Sequence, residues 1–211
     1  MAHSVTHICV KEVSACLFKN LKDYGFRRRS PNLWREVEDV IQMLHFQSSQ
    51  WGTKSKGNFT INVAVTHPEL FSLWTGRPFP ANPATATWPL VQRIGHIIDG
   101  RDVWWDVDES TDAKILGTKI SESYLNLLLN WLDQYSSLKS IESALSTFTK
   151  YGDVPGVHEA QVPLIQAIIA KVHGDRETTE QFIFKALTDS KGKPFEQTVR
   201  TIANRVGVNV A

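Results

Sequence analysis

Histidine, arginine and acidic side chains fall into four groupings whose spacing could support chemistry. His45 and His67 each sit on the inward parity of an alternating apolar run, VIQMLHFQS (40–48) and FTINVAVTH (59–67). Two imidazoles brought together there could move a proton or hold a metal, although an inward His is more often a hydrogen-bonded core residue. His3 and His7 are spaced i, i+4, which places two potential ligands on one helical face. No third ligand accompanies them, so a solvated pair is favoured and no metal site is expected. Asp112-Ala113-Lys114 has the acidic-x-Lys ending of a nuclease motif, yet it opens a helical apolar stripe, where an Asp suits the helix dipole. The fourth grouping is basic: Arg27, Arg28 and Arg29, with Arg35 across a turn and Lys54 and Lys56 in a loop, beside Trp34 and Trp51. Cations interleaved with aromatic rings can stack bases and hold phosphates. The net charge of +1 argues for a solvated hairpin instead, because nucleic-acid modules carry a marked basic excess.

The standard catalytic and nucleotide signatures are missing: the sequence has no Walker A loop, G-x-G-x-x-G, G-x-S-x-G or H-E-x-x-H. No cofactor is therefore expected, although a triad assembled in space would leave no such trace.

The elements that would position these residues are legible from periodicity. Val5, Ile8, Cys9, Cys16, Leu17, Leu21 and Tyr24 recur at helical spacing, with Gly25 and Phe26 placed for a left-handed cap. Strands are expected at 26–29 and 33–37 around a Ser30-Pro31-Asn32 turn, then at 40–48 and 59–67. On the third of these, Ile41, Met43, His45 and Gln47 share one face and Val40, Leu44 and Phe46 the other, which predicts a central strand. Residues 68–89 hold five of the nine prolines and no sustained period beyond a helical turn at Glu69–Trp74. Residues 91–98 and 102–107 flank Asp99-Gly100 and predict a β-hairpin. A long helix follows from about Ser110, with Ile115, Leu116, Ile120, Tyr124, Leu127, Leu128 and Trp131 along one stripe.

Beyond Trp131 the strand signals fade. Helical patterns occupy 138–151, 163–173, 175–187 and 195–206, and Asp175 has the position of an N-cap. The stretch HGDRETTEQFIFKAL resembles the turn and second helix of a tetratricopeptide repeat, but a single copy predicts an ordinary helical hairpin. The predicted organisation is an α+β domain at 1–133, with a mostly antiparallel sheet flanked by helices, and an all-α C-terminal extension at 134–211.

Composition supports a globular chain of 211 residues, with 42% hydrophobic and 21% charged residues. Cys9 and Cys16 fall two helical turns apart, about 10 Å, which is too far for a disulfide between them. With no signal-peptide pattern and no apolar run of transmembrane length, a cytoplasmic protein without a membrane partner is expected.

A series of residues carries a family resemblance. Gly25-Phe26 after a helix, Trp34-Arg35, Gln47 with Ser49 and Trp51, Phe59-Thr60-Ile61-Asn62, Arg93-Ile94-Gly95 and Trp104-Trp105 together resemble the bacterial domain of unknown function 4304 family. The resemblance covers about residues 10–133 and implies a small cytoplasmic α+β domain of bacteria, with no established activity to transfer. It singles out Gln47, Trp51, Asn62, Arg93 and Trp105 as candidate binding residues and none as catalytic. Strand amides are costly unless hydrogen-bonded, by about 1–3 kcal/mol when buried, so Gln47 and Asn62 either recognise something or brace a loop. The expected function is a non-catalytic binding or protein-interaction module with a protein partner. The alternatives are a hydrolase-type cleft near Gln47, His45, His67 and Arg93, and single-stranded nucleic-acid binding by the Arg27–Arg29 hairpin.

Overall fold

A computed structural model describes residues 4–86 and 89–210. Chain order is helix α1 (Val5–Leu21), strands β1 (Arg27–Arg29), β2 (Asn32–Val37), β3 (Val40–Ser48) and β4 (Lys56–Thr66), helix α2 (Pro68–Thr75), strand β5 (Leu90–Arg93), helix α3 (Ile94–Ile98) and strand β6 (Trp105–Asp108). Helices α4 (Ala113–Asp133), α5 (Leu138–Ser146), α6 (Val162–Val172), α7 (Arg176–Ser190) and α8 (Glu196–Val206) complete the chain. The fold is α+β, with one antiparallel six-stranded sheet ordered β1-β2-β3-β4-β5 and β6 paired to β4.

Local chemistry explains the boundaries. Ser4 caps α1, and Gly25 at φ +83° lets the chain reverse while the Phe26 N–H reaches the Leu21 carbonyl and its ring enters the core. Asp112 accepts from the Lys114 and Ile115 amides, so this acidic residue is the N-cap of α4, and Asp175 caps α7 through the Thr178 amide. α6 and α7 form a helical hairpin around Gly174-Asp175. Cys9 and Cys16 are both free thiols. His3 lies outside the described residues.

One expectation is overturned. Residues 91–98 and 102–107 do not form a hairpin, because the chain leaves β5 at Arg93, makes the short helix α3, and returns as β6. Both strands pair with β4, β5 along Asn62–Val65 and β6 along Lys56–Phe59. The 11 residues of β4 give it room for two short strands end to end. Gly95 permits the detour, since a Cβ there would meet the Arg101 carbonyl at 2.5 Å.

The two faces of the sheet differ. One buries Leu33, Leu44, Phe46, Phe59, Ile61, Val63, Val65 and Leu90 against α1, with α4 alongside. That apolar cluster continues without a break into the tail through Leu138, Leu164, Ile168, Ile183 and Ile202. At the seam, the Arg205 guanidinium bonds the Leu73 and Trp74 carbonyls, cations at a helix C-terminus being favourable there. Within the same apolar face lies one polar knot. Gln42 is fully buried; its Oε1 accepts from Arg35 Nε (2.7 Å), and its Nε2 donates to the Leu132 and Tyr135 carbonyls (2.7 and 3.0 Å). Arg35, 7% exposed, also reaches Asp133 at 2.8 Å and the Tyr24 carbonyl, over the Phe26 ring.

This knot yields a prediction. Gln42→Leu leaves two carbonyls at the α4 terminus and one Arg35 donor unpaired in the core, so unfolding free energy should fall by about 2–4 kcal/mol. Glu36→Ala, which removes only an exposed 3.9 Å pair with Arg27, should change it by less than about 0.5 kcal/mol. Urea melts of the two variants check this, and equal midpoints would remove the knot from the account of stability.

Candidate functional site

The second sheet face is only partly covered. Ile41, Met43 and Ala64 form a small buried cluster under Trp34, Phe79 and Ala86, so the proline-rich segment acts as a strap over one end. Asn32 pins that strap by donating to the Ala84 carbonyl at 3.2 Å. At the other end Thr60 donates to the Val103 carbonyl at 2.8 Å, which holds the 101–104 loop down. Between strap and loop the face stays open, and polar side chains occupy it.

Strand register assembles them. His45 on β3 is directly opposite Asn62 on β4, and Asn62 is opposite Arg93 on β5, so all three share this face. Gln47, two residues beyond His45, projects from the same face. The Asn62 amide donates to Gln47 Oε1 at 2.9 Å and lies 3.4 Å from His45 Nδ1. Burial pushes the His45 pKa below its ordinary value, which disfavours the charged ring, and in the neutral ring Nδ1 can accept from Asn62. Arg93 forms a close ion pair with Asp102, and its guanidinium lies 5.0 Å from the Trp104 ring centroid. Trp104 Nε1 donates to the same carboxylate at 3.0 Å, so Asp102 fixes both walls.

The result is an open groove of about 420 Å³, lined by Gln47, Asn62, Gln92, Arg93, His96 and Tyr151, with Val91 at its floor. Tyr151 comes from the segment after α5; it donates to Gln92 at 3.3 Å and stacks on His158 at 4.5 Å. Gly156 of that segment lies against the Val91 carbonyl so closely that no Cβ could fit.

The predicted candidates thus separate into three places. Gln47, Asn62 and Arg93 converge. Trp51 sits apart, 86% exposed on the β3–β4 loop, where a different cavity of about 410 Å³ is bounded by Lys56, Asn58 and Asp106. Trp105 lies on the opposite face of the sheet, 5.4 Å from Phe59 and edge-on to Tyr124 at 5.7 Å. The two histidines are also apart. His67 leaves β4 to cap α2, accepting the Glu69 amide at 3.2 Å, and does not approach His45. The basic grouping is dispersed as well: Arg35 is in the core, Arg28 bonds Ser14 and the Lys11 carbonyl, and Arg27 covers Trp34. Among the described residues no cluster of three or more His, Cys, Asp or Glu could hold a metal, and no helix is long and apolar enough to cross a membrane. Sequence reasoning missed Gln92 and Tyr151. Gln92 faces the core by strand parity, and Tyr151 falls at the end of the 138–151 helical pattern, of which the helix itself stops at Ser146.

Sheet, helices and groove define an α+β domain whose polar sheet face is framed by loops. The model of the domain of unknown function DUF4304 matches residues 17–134, more than half of the chain, and the chain belongs to that family. No curated protein and no solved structure matches it.

His45 gives this site a pH signature. Its charged form is disfavoured in the folded protein, so below about pH 6.5 the unfolded chain binds more protons and stability falls as pH drops toward the folded value. NMR titration should place the ring midpoint below 6.5, the ordinary value. Urea midpoints near about pH 5 and about pH 8 should differ less in His45→Gln than in the parent. An unshifted ring midpoint would overturn the neutral-imidazole account.

Proposed function

We propose that this protein is a non-catalytic binding module that holds a protein partner in the groove between the proline-rich strap and the 101–104 loop. The observation that carries this reading is the cross-strand row His45–Asn62–Arg93, with Gln47 bonded to Asn62, on a sheet face left open. A row of polar groups that brace one another costs little to keep rigid and offers fixed hydrogen-bonding directions, which lowers the ordering cost of binding. The residues lining the groove include no carboxylate, thiol or aliphatic hydroxyl, so chemistry through a Ser, Cys or paired carboxylates has no starting point there. The hydrolase alternative loses its support with the separation of His45 from His67, and the nucleic-acid alternative with the dispersal of the arginines. Two free thiols, Cys9 buried, favour a reducing cytoplasm, and the family resemblance points to a bacterial one.

The protein immobilised in lysate of its own source should retain the same partner in repeated experiments. Asn62→Ala and Arg93→Ala, each with an unchanged thermal midpoint, should lower that capture by about tenfold or more, since each removes hydrogen bonds at the centre of the interface. Trp51→Ala, outside the groove, reports whether the contact extends onto the β3–β4 loop. Capture unaffected by both groove variants, or no partner retained, would overturn the reading.

A further inference from the structure

One NH2 group on the open face stands between two acceptors. That of Asn62 donates to Gln47 Oε1 at 2.9 Å and lies 3.4 Å from His45 Nδ1. Nδ1 can accept there only while it carries no proton, so the arrangement requires the neutral ring with its hydrogen on Nε2. His45 is half-buried, which leaves the ring within reach of a proton from water. Its neighbours by strand register carry no charge: Asn62 is opposite it on β4, between Thr60 and Ala64, and Asn32 and Trp34 share its face on β2. The strap residues Pro83–Thr85 that touch β3 add none. Charged and titratable groups on this side of the sheet stand on other strands or at the rim. Toward β5 these are Arg93, paired with Asp102, then His96 and Tyr151. Toward β1 they are Arg27, Arg29 and Glu36.

We propose that His45, Asn62 and Gln47 form a proton-driven switch that reverses the hydrogen-bonding pattern shown to the groove. Protonation turns Nδ1 from acceptor into donor, so it meets the Asn62 NH2 group donor to donor. The contact is restored when the Asn62 amide turns end for end and gives Oδ1 to Nδ1–H. Gln47 must turn with it, because its Oε1 would otherwise face that oxygen; its Nε2 then donates to Asn62 Oδ1, whose two lone pairs serve both donors. Neither turn moves the backbone, since a terminal amide is nearly symmetric in shape. With the ring neutral, Gln47 keeps its NH2 and Asn62 its Oδ1 for the groove. With the ring charged, Gln47 offers Oε1 and Asn62 its NH2. The apolar packing on the far face holds the three residues in register, so the choice is between two discrete patterns. The consequence for binding rests on the reading above: a partner matched to one pattern is refused by the other.

NMR of the intact free protein tests the switch without any partner. At neutral pH the ring nitrogen shifts of His45 should place its proton on Nε2. On acidification the side-chain NH2 signals of Asn62 and Gln47 should both move, with the midpoint of the His45 ring. The Overhauser contact between the Asn62 NH2 hydrogens and the His45 ring C–H beside Nδ1 should weaken over the same range. His45→Gln removes the titrating group and should leave both amide signals flat, whereas His96→Gln should leave the inflection in place. If His45→Gln fails to fold, the ring tautomer and the shared midpoint of the parent protein decide alone. Amide signals that ignore the His45 midpoint, a neutral ring protonated on Nδ1, or an inflection that disappears with His96 would overturn the switch. Those results leave the capture experiment standing, and failure of capture leaves the amide signals to be read as before, so the two readings fall separately.

Discussion

Strand β4 is the constraint to which the rest of the structure answers. It pairs along its length with β3 on one side and with β5 and β6 end to end on the other, so three separate pieces of chain take their register from it. Its side chains alternate without compromise. Phe59, Ile61, Val63 and Val65 are completely buried toward α1, while Thr60, Asn62 and Thr66 point to the other face. A slip of one residue would put Asn62 into the core and expose a row of large apolar side chains at about 1.5–3 kcal/mol each. The apolar face thereby locks the polar one, and the meeting of His45, Asn62 and Arg93 follows from packing that involves none of them.

Two sets of amides on the two faces show how the same chemistry serves different ends. Gln42 is saturated: its oxygen is held by Arg35, and both its hydrogens go to carbonyls at the turn out of α4. This closes the helix terminus, where carbonyls would otherwise be orphaned, at the point where the chain enters the tail. Gln47 on the other face accepts from Asn62 through Oε1 only and keeps its NH2 group toward the open groove. In the core an incomplete amide would be a fault, because no water could finish it. At a groove the same incompleteness is affordable to hydrate and available to a ligand.

The sequence made much of this architecture readable, and its failures have physical causes. Alternation along β3 and β4 showed which residues of each strand share a face, and Asp112 and Asp175 marked where helices begin. Periodicity within a strand carries no information on register between strands, so the meeting of Gln47 with Asn62 was not readable. Gln42 did leave a signal, a polar residue between Val40 and Leu44 on the apolar parity, and Arg35 lies directly opposite it across the β2–β3 turn. The Arg27–Arg29 grouping does form a hairpin strand, and because adjacent strand residues point to opposite faces, charges that look clustered in the sequence are separated. The Asp99-Gly100 signal was local and sound as a turn, but the turn ends α3, since β4 has length enough to hold β5 and β6 separately.

The boundary of the family match raises a last point. The matched region ends at residue 134, yet the groove within it is completed from beyond that limit. Tyr151 supplies one rim and bonds Gln92, and Gly156 packs against the Val91 carbonyl of β5. That segment is held in turn by Asp153, whose carboxylate accepts from the Thr149 and Lys150 amides while its own carbonyl takes the Tyr135 hydroxyl at 2.5 Å. Tyr135 lies on the same polar knot as Gln42. Hydrogen bonds and the short 149–153 segment therefore link the buried face of the sheet to the rim of the open groove. The segment after α5 thus helps to shape the groove, because Tyr151 lines it and its hydroxyl holds the Gln92 carbonyl oxygen at the β5 edge.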